Sequence, residues 1–88
     1  SMSNYITIHY LKNGREKKTV IRETMKNFEI KISVSPENQR CHRSYFVNTG
    51  KIIETIGNAR SLYLRIEHLD FEIPVSRSFS KKLIEEIG

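Results

Sequence analysis

Between Ser61 and Glu67, Leu62, Leu64 and Ile66 alternate strictly with Tyr63 and Arg65. A period of two places every second side chain on one face, which defines a strand half-buried in a sheet. This run constrains the fold more than any other, because such a strand needs hydrogen-bonded neighbours and an apolar layer beneath it. Lys51–Ile56 supplies the strand before it, across a turn at Gly57-Asn58-Ala59-Arg60. His68-Leu69-Asp70 turns the chain again, into a short last strand over Phe71–Val75. A separate hairpin opens the chain. Tyr5–Leu11 alternates Ile6, Ile8 and Tyr10 with Thr7 and His9, and the return strand runs from Glu16 to Arg22. Asn13-Gly14 lies between them, and both residues tolerate the positive φ of a tight turn. Lys17 and Lys18 guard the start of the return strand against edge pairing.

Two segments change period. Met25, Phe28 and Ile32 share one helical face, with Thr24 as N-cap and Ser35-Pro36 as stop. Phe79, Leu83 and Ile87 form the inner face of a closing helix, which Ser76 caps. Lys81 and Lys82 lie on its outer side. Glu85 and Glu86 stand near its C-terminal end, where acids are unfavourable and fraying is expected. The reading is a mostly β chain of small antiparallel sheets, with one short internal helix and one short C-terminal helix. Its 88 residues suffice for one domain with one modest core. No apolar run approaches the roughly 18 residues of a membrane span, and a single cysteine excludes an internal disulfide and suits a reducing, cytoplasmic setting.

The charged stretch Arg40-Cys41-His42-Arg43-Ser44-Tyr45-Phe46-Val47-Asn48 reads as a strand, Tyr45–Val47, with an arginine-rich segment at its entrance. Thr49-Gly50 turns the chain after it. A second arginine follows a short apolar run in Ile73-Pro74-Val75-Ser76-Arg77. A net charge of +5 favours polyanionic partners. Enzyme chemistry finds no support. Cys41 and His42 are adjacent, so in extended backbone they face apart and cannot pair as nucleophile and base. One cysteine with the scattered His9, His42 and His68 makes no metal site, and no glycine-rich loop cradles a phosphate or cofactor. Glu67, Asp70 and Glu72 read as a solvated face.

Taken together, the two arginine stretches and the Asn4-Tyr5 pair that opens the hairpin resemble the LytTR DNA-binding domain, the output module of LytR/AlgR-type response regulators. That family's hallmarks run roughly Arg-x-His-Arg-Ser-Tyr-x-Val-Asn and, about thirty residues later, Ile-Pro-Val-Ser-Arg. The resemblance covers Asn4 to about Ile87, giving a domain over 4–88, with residues 1–3 as a boundary or expression leftover. The chain departs from the family where an apolar strand usually precedes the Asn-Tyr pair; here only Ser1-Met2-Ser3 stands.

The resemblance implies stacked small sheets and sequence-specific binding of double-stranded DNA through loops that reach successive major grooves. It also implies pairing of two copies on direct repeats, and a receiver domain upstream in the full protein. Carried over residue by residue, Arg43, Arg77 and Asn4 match base-reading positions, and Arg40 and Ser44 match backbone-contacting ones. Arginine suits both tasks, since its planar fork fits guanine O6 and N7 and also binds phosphate. Ser76 adjoins a matched reader at a helix start whose amides face a phosphate; Lys81 joins as a phosphate contact on charge and helix position. Each has a plainer role beside this one. Arg43 would pair with a surface carboxylate, Arg77 would cap or pack near the helix, and Asn4 would serve the turn. His42 reads as structural and interior, and Tyr45, Val47 and Asn48 as scaffold. The rival to the DNA reading is a small β module that binds protein or RNA, the latter needing several tyrosines clustered in solvent.

Overall fold

A computed structural model describes residues 4–58 and 60–87, the side chain of Ile87 excepted. The expected boundary segment Ser1–Ser3, and Ala59 of one expected turn, lie outside these residues. The chain divides into two units, Ser1–Val34 and Ser35–Gly88.

In the first unit, β1 (Tyr5–Lys12) and β2 (Arg15–Arg22) form an antiparallel hairpin, registered from Tyr5 opposite Arg22 to Lys12 opposite Arg15. Asn13 and Gly14 take φ of 55° and 75°, the left-handed pair that matches the twist of a two-residue hairpin. Ile6, Ile8 and Ile21 share the half-buried face. At the open end the Glu23 amide donates to the Asn4 carbonyl (2.6 Å). Helix α1 (Met25–Ile32) begins as its sequence dictates, with Thr24 Oγ1 accepting from the Asn27 amide at 3.1 Å. Met25, Phe28 and Ile32 are half-buried on its expected face, and Ser33 ends it. The Glu23 carboxylate accepts from the Thr24 amide, from Asn27 Nδ2 and, at 2.6 Å, from Lys31 Nζ. The lysine's hydrogen bond holds the Glu23 carboxyl below its ordinary value of 4.5.

The second unit holds every fully buried residue among those described. Strands β3 (Asn38–His42) and β4 (Tyr45–Asn48) make one antiparallel pair; β5 (Ile52–Asn58), β6 (Ser61–Ile66) and β7 (Ile73–Pro74) make a three-stranded sheet in that order. A 3-10 turn, Thr49–Lys51, links the sheets, and α2 (Arg77–Ile87) closes the chain. The alternation of β6 is realised directly. Leu62 and Leu64 are buried, Ile66 is half-buried, and Tyr63 and Arg65 face out. Leu64, with no exposed surface, joins Cys41, Val47, Ile73 and Phe79 in the core, ringed by residues that include Tyr45, Ile52, Val75 and Leu83.

Three local outcomes differ from the expectations. Asn38–His42 is a strand, although its polar sequence shows no apolar alternation; pairing with β4 stabilises it, and Cys41 alone anchors it inside. The last strand shrinks to Ile73–Pro74, because the chain is still bending at Asp70 and Phe71, and Phe71 stays exposed; beyond Pro74 the Val75 amide still donates to the Leu62 carbonyl at 3.2 Å. β5 runs on through Asn58, whose side chain accepts from the amides of Arg60 and Ser61 to make the turn. Gly57 permits this with φ of 106°, where a Cβ would collide with the Ser61 carbonyl.

Leu64→Ala should cost about 2–5 kcal/mol in urea unfolding, the range for emptying a closed apolar site. A loss under 1 kcal/mol would show that the site is not enclosed. A depressed carboxyl pKa contributes stability that is present above the unfolded value and lost as pH falls through the folded one. Carbon-13 titration should therefore find Glu23 ionising below 4.5, and Lys31→Ala should bring it back toward that value.

Candidate nucleic-acid interface

The arginine stretch forms a hairpin with a deliberate irregularity. Arg40 pairs with Phe46 and His42 with Tyr45, so Cys41 is an extra residue without a ladder partner. Such a bulge tightens the twist and re-aims its neighbours. Cys41 turns wholly inward, its Sγ 3.7 Å from the Tyr45 carbonyl and 3.9 Å from that of Pro74. Burial pushes its thiol up to about 11. Arg43 and Ser44 are left as the two turn residues, both exposed.

Two side chains brace this turn. His42 Nδ1 accepts from the Ser44 amide at 3.1 Å, which makes Nδ1 its unprotonated nitrogen, and its ring meets Tyr45 edge-on at 5.6 Å. His42 is thus structural, as expected, but half-buried beside the turn rather than interior. Arg40 lies over the Phe46 ring, 5.4 Å from its centroid, and donates from Nη2 to the Arg43 carbonyl at 2.6 Å. Among the described residues no carboxylate or carbonyl engages the Arg43 guanidinium; the surface ion pair weighed for it is not formed.

The backbone also ties the segment of the second arginine to β3. The Ser76 amide donates to the Cys41 carbonyl at 2.8 Å, using the acceptor that the bulge leaves outside the ladder. Ser76 Oγ then caps α2 by accepting from the Phe79 amide at 3.2 Å, and stands 3.2 Å from Ser78 Oγ. Arg77, the first helical residue, is exposed, with no partner for its guanidinium among the described residues. Chain length through this link keeps the Arg43 and Arg77 Cα atoms within about 18 Å. Lys82 Nζ reaches Gln39 Oε1 at 3.1 Å, fastening α2 to β3 once more, and Lys81 beside it is exposed.

Arg40, Arg43, Ser44, Ser76 and Arg77 therefore lie on two linked segments of one unit, with Lys81 one turn along the helix. Asn4 belongs to the Ser1–Val34 unit, half-buried at the foot of the hairpin. Sequence reasoning missed the bracing by Arg40 and the Cys41–Ser76 link. A lone apolar residue between charged neighbours was the available sign that Cys41 faces inward. No helix among the described residues is long and apolar enough to cross a membrane.

The profile of the LytTr DNA-binding domain matches residues 1–88. Transcriptional regulatory protein YpdB of Escherichia coli K12 is 52% identical over 44 residues, a match spanning 49% of this chain and 18% of that protein. The YpdB proteins of Escherichia coli O157:H7 and Shigella flexneri match to the same extent. The chain thus corresponds to only a small part of these relatives. No solved structure gives a significant match.

The Cys41 thiol should resist alkylation in the folded protein at pH 8, reacting only as fast as the unit opens. Rapid labelling under native conditions would contradict its burial.

Proposed function

Because the chain belongs to the LytTr DNA-binding domain family, we propose that it is the sequence-specific output module of a bacterial transcription regulator, reading base edges in the major groove with Arg43 and Arg77. The observation that carries this reading is the pair of exposed guanidinium groups, uncommitted among the described residues and joined through the Cys41–Ser76 hydrogen bond. The Cα separation is at most about 18 Å, some five base pairs at 3.4 Å each, and this reading requires both guanidinium groups to face one short segment of duplex. An arginine fork on guanine O6 and N7 discriminates a base pair and needs a fixed backbone to aim it. The His42 and Arg40 contacts supply that fixity at the turn, and the Ser76 cap supplies it at the helix start.

Around these readers, Ser44, Arg40 and Lys81 take phosphates, and Ser76 helps by holding the first amides of α2 toward one. Arg40 contributes mainly through the turn it braces. Asn4 is a third reader, from the other unit. In the full-length regulator a receiver domain stands upstream, the protein is cytoplasmic, and two copies pair on direct repeats of the operator. The module itself carries out no catalysis and holds no cofactor. The rival RNA reading needs a stacking platform, and β1 offers none. Tyr5 and Tyr10 are five residues apart, so they point to opposite faces of the hairpin.

Selection of bound duplexes from a random pool should recover a short repeated motif. On that duplex, Arg43→Ala and Arg77→Ala should each cost about 1–3 kcal/mol and relax preference at particular base pairs. Equal losses on random DNA would reduce both to phosphate contacts, and a flat response to salt would remove DNA as the partner.

A further inference from the structure

The outer end of the β1–β2 hairpin has a charge pattern that neither the sheet nor the readers require. Directly opposed residues share a face, so Ile6, Ile8 and Ile21 lie on the same side as Tyr10, Lys12, Arg15 and Lys17. The face that is half-buried at its root becomes cationic at its tip. Lys12 stands directly opposite Arg15, and Tyr10 opposite Lys17. Like charges facing each other across a pair destabilise it. None of Lys12, Arg15 and Lys17 has an ion-pair partner among the described residues. The tip's one acid, Glu16, pairs with Leu11 and so projects from the other face. Edge protection accounts for Lys17 but not for Lys12 set against Arg15.

We propose that this tip is a further phosphate-binding surface, with Lys12, Arg15 and Lys17 contacting the backbone of the bound duplex and Tyr10 offering its hydroxyl beside them. The inference rests on the DNA reading above and adds to it a contact that carries no sequence information. Its counter-charge is the polyanion itself, which relieves the Lys12–Arg15 repulsion on binding. The Asn13-Gly14 turn fixes the two strands, so the cations are presented in one arrangement rather than as a loose tail.

Lys12→Glu separates this from a purely structural role, since the new carboxylate faces Arg15. The variant should melt at the parent's temperature or above it. Its affinity for a duplex recovered by selection and for a random-sequence duplex should fall by the same factor. The slope of log K against log salt should become shallower by about 0.9 for each phosphate lost. Lys17→Ala should lower the slope in the same way, leaving the ratio of selected to random affinity unchanged. Unchanged affinity and slope in both variants, while Arg43→Ala still relaxes base preference, would overturn the tip contact and leave the DNA reading standing. Loss of binding to phosphatidylserine vesicles with duplex affinity intact would overturn it in favour of a membrane. A parent protein with no salt-dependent duplex binding would overturn the DNA reading and this inference with it.

Discussion

One hydrogen bond, from the Ser76 amide to the Cys41 carbonyl at 2.8 Å, organises the Ser35–Gly88 unit. It exists because the bulge in β3 leaves Cys41 outside the ladder, so that its carbonyl is free to accept from a distant segment. Burying the Cys41 side chain fixes the direction of that carbonyl. The bond then joins two segments that each carry an arginine beside the core, the β3–β4 turn and the start of α2. A buried backbone acceptor left unpaired is costly, so the bond is close to obligatory. The relation between Arg43 and Arg77 is thus set by the interior and not by the arginines themselves.

The same economy runs through the neighbouring contacts. Ser76 donates its amide to β3 and accepts at its hydroxyl from Phe79, so a single residue ends one connection and begins a helix. His42 and Arg40 spend polar atoms on the turn backbone, and the Arg43 guanidinium that the turn carries has no partner among the described residues. A rigid backbone removes the cost of ordering the turn on binding, while the free arginine side chain still loses its rotamer freedom.

Much of this was legible in the residues. The alternation of Leu62, Leu64 and Ile66, the Asn13-Gly14 turn, and the Thr24 and Ser76 caps are local signals, and each formed where its chemistry placed it. Arg43 and Arg77 stood out through motif resemblance, which identified the residues without indicating what positions them. β3 was invisible because Asn38–His42 owes its strand conformation to a partner rather than to its own pattern. The bracing of the turn by Arg40 was hidden for a related reason. It depends on the bulge, and a bulge is a property of two strands together that neither sequence announces.

The Ser1–Val34 unit contains no fully buried residue among those described; its strands and helix are held by half-buried faces, a hairpin ladder and caps. Free energy of local opening scales with what is sealed from water, so this part of the chain sits low on the protein's internal scale of stability. By that rule its backbone amides should exchange with solvent faster than those of β6. Changes among its surface charges therefore act on what the hairpin meets, with little consequence for the core that carries the two arginines.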